Sequence, residues 1–356
     1  MPGSGSRFNF EALLYSPSPG GEALCALCPH RCVIPSGARG LCGVRENRNG
    51  TLFALTYGRP AARGVEPIEK KPFFHFHPGS LAYSVGTHGC NMRCAFCINA
   101  AISQTAGEVD AGETVTPEEI VAAAVAAGCD SVALTYVEPT IFFEYALDIA
   151  GCAREAGLAV VMKTNGFITP EALALLAPRV DAANVDLKAF RSRSYERMGG
   201  QLGPVLDCLR FLRAAGVWIE VTTVLIPGVN DDAAELGDIA GFIASELGPD
   251  TPWHVARFFP AFQMLDTPPT SGALLDRARE IGRAQGLRHV YLANDLRPGS
   301  QETCCAGCGT LLIRRSGGRL LQNDLDDGAC PACGEDLAGR GLVELRATAR
   351  MKEERR

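Results

Sequence analysis

Short apolar runs and longer amphipathic segments alternate along the chain between residues 80 and 295. The short runs are rich in β-branched residues and have the length of buried strands. The longer segments have helical periodicity, and several end at a glycine, a residue that often stops a helix. Thr116, followed three residues later by Glu119, predicts a capped helix that begins at residue 117. The predicted strands are LAYSVGT, SVALTYV, AVVMKTN, AANVDLK, WIEVTTVL, WHVARFF and HVYLAND, and the predicted helices are PEEIVAAAVAAG, IFFEYALDIAGCAREAG, PEALALLA, GPVLDCLRFLRAAG, AAELGDIAGFIASELG and GALLDRAREIGRAQG.

This alternation predicts the α/β class, with parallel strands joined by right-handed helical crossovers. The number of such units favours a partial (βα)6-type parallel barrel over a small doubly wound sheet. In both architectures, ligands bind at the carboxyl ends of the strands. Polar residues cluster at these predicted ends, at Thr87-His88, Tyr136-Val137-Glu138, Thr164-Asn165, Asp186-Leu187-Lys188 and Asn294-Asp295.

The composition is that of a globular protein, with 356 residues, 47% hydrophobic and 21% charged. A net charge of −6 would repel a phosphate backbone, so nucleic acid is not an expected partner. No apolar run approaches the roughly 18 residues of a membrane helix, and the first residues lack the pattern of a secretory signal. We therefore expect a cytoplasmic protein without a membrane partner.

The chain has 15 cysteines, and in a reducing compartment clustered cysteines are more often metal ligands than disulfides. Three cysteines in helical patterns, Cys129, Cys152 and Cys208, are expected to be small buried apolar residues. The other cysteines form three groups, with Cys304 beside the last group. These groups are Cys25, Cys28, Cys32 and Cys42; Cys90, Cys94 and Cys97; and Cys305, Cys308, Cys330 and Cys333.

The middle group has the spacing C-x3-C-x2-C directly after the first predicted barrel strand. A structural zinc site requires four ligands, whereas three cysteines on one loop can hold a [4Fe–4S] cluster and leave its fourth iron open for chemistry. The alternative is a zinc site completed by a distant fourth residue. Phe96, just before Cys97, is expected to pack over the cluster and limit its contact with solvent.

This C-x3-C-x-Φ-C motif on an α/β barrel resembles the radical S-adenosylmethionine (SAM) enzymes, and within them the activating-enzyme branch that includes pyruvate formate-lyase activating enzyme. Other stretches are most similar to the radical SAM enzymes of the AmmeMemoRadiSam system. The stretches are LCPHRCVIPSGARGLCGVREN, VEPIEKKPFFHFHPGS, TYVEPTIFFEYALDIA, VTTVLIPGVND and the terminal pair of CxxC motifs.

The resemblance implies that SAM chelates the open iron and is cleaved reductively to a 5′-deoxyadenosyl radical, which abstracts hydrogen from a substrate. It also implies that Glu138 accepts from the SAM ammonium. By the same resemblance, Asp186, Lys188 and Asn165 contact the ribose and carboxylate of SAM. The alternative for each residue is a hydrogen-bonded position at a strand end.

The sequence departs from the family pattern at two places and leaves one histidine open to interpretation. Tyr136-Val137 stands where the family has two glycines, and Ile98-Asn99-Ala100 stands where close relatives have Gln-Asn-Trp. Losing that indole would open space near the cluster. His254 could contact a substrate, but a core histidine with its hydrogen bonds satisfied is the favoured interpretation.

The two outer cysteine groups allow different metals. Cys25, Cys28, Cys32 and Cys42 could form a zinc site or an auxiliary Fe–S cluster, with His30 as a substitute ligand, or a chance grouping of free thiols. The two CxxC pairs at Cys305 to Cys333 have the spacing of a zinc ribbon, with a structural or partner-docking role favoured over nucleic-acid binding.

These observations divide the chain into four predicted parts: a Cys-rich module and lead-in (1–79), the barrel (80–298), the zinc-ribbon-like module (299–345) and a charged tail (346–356). The predicted function is that of a radical SAM enzyme acting on a protein, peptide or small molecule, with a flavodoxin or ferredoxin as electron donor. The alternatives are a glycyl-radical-enzyme activase and a non-catalytic zinc scaffold.

Overall fold

A computed structural model describes residues 10–104 and 113–342 of the protein; the predicted charged tail and residues 343–345 of the ribbon lie outside this part. The N-terminal residues form two small antiparallel sheets that carry the first cysteine group. Their strands are β1 (Tyr15–Ser18), β2 (Glu22–Cys25) and β3 (Val33–Ile34) in one sheet, and β4 (Arg45–Arg48) and β5 (Thr51–Ala54) in the other.

The central sheet has eight strands, and their order in space follows their order in the chain. Seven of them run parallel, and the first, which the sequence analysis does not predict, is an antiparallel edge strand. The predicted α/β class and the partial parallel barrel are therefore confirmed. The strands are β6 (Ala62–Pro67), β7 (Leu81–Gly86), β8 (Ser131–Leu134), β9 (Ala159–Thr164), β10 (Ala182–Asp186), β11 (Trp218–Leu225), β12 (Trp253–Arg257) and β13 (Val290–Ala293).

Helices connect the parallel strands and cover one face of the sheet with apolar side chains. The predicted cap is present: Thr116 Oγ1 accepts from the Glu119 backbone N–H, while the Glu119 carboxylate accepts from the Thr116 N–H. The helices are α1 (Ala100–Ser103), α2 (Pro117–Ala126), α3 (Phe143–Glu155), α4 (Pro170–Leu176), α5 (Ser192–Arg197), α6 (Leu202–Ala214), α7 (Ala233–Phe242) and α8 (Gly272–Ala284).

The other face of the sheet, which forms the inside of the barrel, carries polar side chains linked from strand to strand. Asn184 Oδ1 accepts from Lys163 Nζ at 2.6 Å and from Thr222 Oγ1 at 2.7 Å. One layer lower, Glu220 and His254 are 2.6 Å apart, and both are fully buried. The amino-terminal end of the barrel is closed by an apolar cluster that includes Ile68, Phe73 and Phe76.

The C-terminal module is a three-stranded antiparallel sheet with its own small apolar cluster. It packs on the segment that precedes β7, and so lies at the amino ends of the barrel strands. His77 N donates to Arg340 O and Arg340 N donates to His75 O, both at 2.8 Å. The buried Arg315 also donates to the carbonyl of Phe74. The strands are β14 (Thr303–Cys304), β15 (Leu311–Ser316) and β16 (Arg319–Asn323).

Candidate functional site

The three clustered cysteines lie on the loop that leaves the carboxyl end of β7, at the open end of the barrel. Cys94 is buried, and Cys90 and Cys97 are half-buried. Burial raises the pKa of Cys90 to about 12, so a free thiol there keeps its proton at neutral pH. Metal binding would displace that proton, because only the thiolate is a metal ligand.

Hydrogen-bond donors surround two of the three sulfur atoms. The backbone N–H of Met92 donates to Cys90 Sγ at 3.4 Å, and Asn165 Nδ2 lies 3.9 Å from the same sulfur. Ser103 Oγ lies 3.2 Å from Cys97 Sγ. Such donors stabilise thiolates and tune the potential of the metal that they bind. The donor set therefore fits a metal–thiolate group on this loop.

The separation of the sulfurs distinguishes this loop from the C-terminal group. In the described part of the chain, the one set of three or more candidate ligands whose atoms all lie within 4.8 Å of one another is Cys305, Cys308, Cys330 and Cys333. A tetrahedral zinc ion with bonds of about 2.3 Å holds its sulfurs about 3.8 Å apart. The sulfurs of Cys90, Cys94 and Cys97 do not all lie within 4.8 Å of one another, which fits ligands of different irons in one cluster.

Glu138 lies between the carboxyl ends of β8 and β9 and is only 3% exposed. Its Oε1 accepts from Thr140 N, Thr140 Oγ1 and Thr164 Oγ1, and its Oε2 accepts from Asn165 N at 2.7 Å. Burial raises the pKa of the Glu138 carboxyl, although these four donors favour its charged form. None of the four donors is itself charged, so a cationic ligand group would stabilise this carboxylate further.

Asn165 connects Glu138 to the cysteine loop. Its backbone N–H donates to Glu138, while its Nδ2 donates to Asn91 Oδ1 at 2.9 Å. Asn91 Nδ2 in turn donates to Phe167 O at 2.7 Å. The end of β9 and the cysteine loop are thus fixed to each other by buried amides.

Three charged side chains meet at the ends of β9 and β10. Asp186 contacts Lys163 through Oδ1 and Lys188 through Oδ2, the latter at 2.8 Å. Burial would raise the Asp186 pKa, but the two ammonium groups outweigh it and lower the pKa to about 2. The ammonium of Lys188 also lies 5.8 Å from the ring centre of Phe96 on the cysteine loop. The arrangement offers a carboxylate and two ammonium groups at one edge of the mouth.

Tyr136 has φ +65°, in the left-handed region that favours glycine. Its carbonyl accepts from Asn99 Nδ2 at 2.5 Å, and its hydroxyl donates to Glu66 at 3.1 Å. These contacts hold the backbone in a glycine-like conformation at one of the positions where the family pattern has glycine. Neighbouring Gly86 is also required, since a Cβ there would lie 2.3 Å from Thr135 O.

His254 lies in the lower part of the barrel, away from the mouth. It is fully buried between Glu220, at 2.6 Å, and the rings of Phe74 and Tyr291. This environment agrees with a core position for His254, but its hydrogen bonds are only partly satisfied, since Nδ1 has no partner in the described structure. Of the isolated cysteines, Cys129 and Cys208 are buried as expected, whereas Cys152 is half-exposed on α3.

The sequence analysis misses Lys163 as a site residue. It lies inside the apolar run AVVMKTN, where a lysine without a buried partner would be costly. A lysine in an apolar strand therefore indicates a carboxylate on a neighbouring strand, which is Asp186.

The fold and the site together define a parallel α/β barrel with three clustered cysteines at its mouth. The Radical SAM superfamily profile matches residues 84–239. The chain belongs to the radical SAM superfamily, and the proteins similar to it include some named putative glycyl-radical enzyme activating enzymes.

Three relatives illustrate its place in the family. Uncharacterized protein MJ0808 of Methanocaldococcus jannaschii is 38% identical over 329 residues, which cover 92% of this chain and 98% of that protein. A GTP 3',8-cyclase of Geobacter sulfurreducens is 27% identical over 66% of this chain and 69% of its own length. The putative glycyl-radical enzyme activating enzyme MJ1227 of Methanocaldococcus jannaschii is 26% identical over 46% of this chain and 69% of its own length.

Members of this superfamily are enzymes that use a [4Fe–4S] cluster and SAM. Among the described helices, none has the length and apolar character needed to cross a membrane.

Proposed function

We propose that the chain cleaves SAM at a [4Fe–4S] cluster bound by Cys90, Cys94 and Cys97, and that a protein, peptide or small molecule is the hydrogen donor. The cluster, when bound, supplies the electron that breaks the sulfonium bond and an iron to which SAM can bind. The observation that carries the proposal is the cysteine loop itself: three thiols at the barrel mouth whose sulfurs, unlike those of the C-terminal group, do not all lie within 4.8 Å of one another.

The residues around the loop suit the charges of SAM. The buried Glu138 carboxylate has four hydrogen-bond donors but none that is charged, and we assign to it the ammonium of SAM. For this, one of the two threonine hydroxyls that now donate to Oε1 would turn to another acceptor. Asn165 would then position the cluster ligand Cys90 rather than SAM alone, since its amide lies next to that sulfur.

Asp186 and Lys188 are assigned to the ribose hydroxyls and the carboxylate of SAM, respectively. Lys163 keeps Asp186 ionised and fixed, which prepares it to accept hydrogen bonds. Phe96 would shield the cluster on the side of Lys188.

The decisive experiment is the formation of 5′-deoxyadenosine from SAM and dithionite by the anaerobically reconstituted chain. We expect product from the native protein and none above background from Cys94→Ala. Cys208→Ala, which removes a buried thiol of α6 without touching the loop, is the matched control and should keep its activity. Cleavage that persists in Cys94→Ala would refute the assignment of the loop.

The same chemistry directed at a backbone glycine is the second candidate function. It is favoured by the relatives named putative glycyl-radical enzyme activating enzymes. Incubation with a candidate glycyl radical protein, followed by electron paramagnetic resonance, tests it: a protein-centred radical supports an activase, and its absence argues for another substrate.

The C-terminal module is proposed to bind one zinc ion. Cys305 and Cys333 sulfurs are 3.5 Å apart, and those of Cys308 and Cys330 are 3.6 Å apart, close to the spacing around a tetrahedral ion. The electron donor is proposed to be a low-potential flavodoxin or ferredoxin. The limits 1–79, 80–298 and 299–345 remain the proposed division of the chain, with the lead-in of the first part contributing β6 to the barrel sheet.

A further inference from the structure

The N-terminal cysteines Cys25, Cys28, Cys32 and Cys42 form a second thiol-rich site that the mechanism above does not use. Cys25 is the last residue of β2, the other three lie between β2 and β4, and none of the four forms a disulfide. Cys25 is buried, and the other three are half-buried. Four thiols gathered at one place suggest a ligand set rather than separate core residues.

The backbone around this group is arranged as in the cysteine loop of the barrel. The backbone N–H groups of Leu27, His30 and Val44 lie close enough to the sulfurs of the cysteines two residues before them to stabilise negative charge there. Met92 has the same relation to Cys90. Backbone donors directed at sulfur are a feature of metal–thiolate sites.

A buried cation with an unused donor lies beside the group. Arg45 is 1% exposed and is close enough to Cys25 and Cys42 to stabilise negative charge on their sulfurs. Its Nη2 pairs with Glu144, but its Nε has no hydrogen-bond partner in the described structure. A buried donor without a partner is costly, and thiolates or inorganic sulfide would supply an acceptor.

The geometry of the sulfurs distinguishes between the possible metals. Within the described residues, no three of these four sulfurs lie within 4.8 Å of one another, whereas the four of the C-terminal module do. A single tetrahedral ion needs all four about 3.8 Å apart. A cube of iron and sulfide holds its thiolates at separate corners and accepts the wider spacing.

His30 is occupied elsewhere. Its Nε2 donates to Asn91 O at 2.8 Å, since a carbonyl can only accept. This leaves the four cysteines as a complete ligand set for the four irons of one cluster.

We propose that Cys25, Cys28, Cys32 and Cys42 bind an auxiliary [4Fe–4S] cluster, one thiolate on each iron. This inference does not depend on the role of the barrel cysteines.

The proposed cluster would be packed directly on the cysteine loop of the barrel, which carries Cys90, Cys94 and Cys97. Arg93 donates both to Leu41 O, next to Cys42, and to Cys90 O, the latter at 2.7 Å. A Cβ on Gly89 would lie 2.9 Å from Cys42 O, so only glycine allows this approach of the two loops. The two metal sites are therefore neighbours across one layer of backbone.

The test uses the full-length chain with Cys90, Cys94 and Cys97 all changed to alanine, reconstituted anaerobically with iron and sulfide. The proposal predicts that this variant retains about four irons and about four sulfides per chain, against about eight of each in the native protein. After reduction, it should show an electron paramagnetic resonance signal of a [4Fe–4S] cluster that does not change when SAM is added.

A variant with no iron, or with about two zinc ions per chain, would overturn the proposal. A variant that keeps all the native iron would instead refute the assignment of the barrel loop, so the two failures are distinguishable. Cys28→Ala in the otherwise native chain should lose about half of the iron, while Cys208→Ala should lose none. Circular dichroism of each variant establishes that the chain is folded.

Discussion

The buried ion pair between Arg45 and Glu144 is expected to be a major link between the N-terminal module and the barrel. Arg45 Nη2 donates to both carboxylate oxygens of Glu144, at 2.6 and 2.8 Å, and both side chains are almost completely buried. Leu13 N also donates to Glu144, at 2.7 Å. The perturbation that we choose is Glu144→Gln, which keeps the size of the side chain and removes its charge.

The size of the expected loss of stability depends on the burial of the ion pair. Removing one partner of a buried pair costs up to about 3–5 kcal/mol, and the loss is smaller in the reconstituted protein because thiolates of the proposed cluster also face Arg45. An exposed pair is worth about 0–1 kcal/mol. The chain offers a matched exposed pair between the same two regions, Arg31 and Glu171, whose side chains are 46% and 49% exposed at 2.7 Å separation.

The assay is thermal unfolding of the reconstituted Glu144→Gln and Glu171→Gln variants, with iron and zinc measured in each sample. Glu144→Gln should lower the midpoint by on the order of 5–10 °C, and Glu171→Gln by about 1 °C or less. Equal shifts in the two variants, at equal metal content, would refute the argument that burial decides the strength of this link.

Three further predictions concern other parts of the chain. Gly86→Ala should lower the free energy of unfolding by about 1–3 kcal/mol in denaturant titrations, because its Cβ would meet the backbone carbonyl of Thr135 at 2.3 Å. Gly151→Ala in α3, which has open space around it, should raise the free energy of unfolding by about 0.5–1 kcal/mol. Burial lowers the pKa of His289 to about 4, so below pH 6.5 the unfolded chain binds a proton that the folded chain does not. The contribution of His289 to stability should therefore be full above pH 6.5 and fall by up to about 3 kcal/mol towards pH 4. His289→Gln should flatten this slope in unfolding curves measured across that range. Cys330→Ser should prevent binding of the proposed zinc ion, measured by atomic emission, and make the ribbon sensitive to limited proteolysis; zinc bound at the native level would contradict the proposed tetrahedral site.

The parallel strands and the longer helices could be predicted because they depend on local patterns, whereas the short helices α1 and α5 were not predicted. The capping box at Thr116 and the apolar run of β8 are each contained within a few residues. The antiparallel strand β6 was missed, since ARGVEP has few β-branched residues and is held by its ladder with β7. Pairing with a neighbour here outweighs intrinsic propensity.

The candidate site was predictable in its cysteines but not in its electrostatics. Lys163 and Asp186 are 23 residues apart, and their contact depends on the register of β9 against β10. The conformation of Tyr136 likewise depends on Asn99 and Glu66, which come from distant segments. Spacing identifies clustered thiols, but it does not reveal whether their sulfurs converge on one ion.

The attachment of the C-terminal module has a consequence for how the protein can meet other molecules. Because His75 and His77 hold the ribbon at the floor of the barrel, a large substrate can approach the opposite opening without displacing it. Substitutions on the surface of the ribbon can therefore change the binding of partner molecules without changing access to the open end of the barrel.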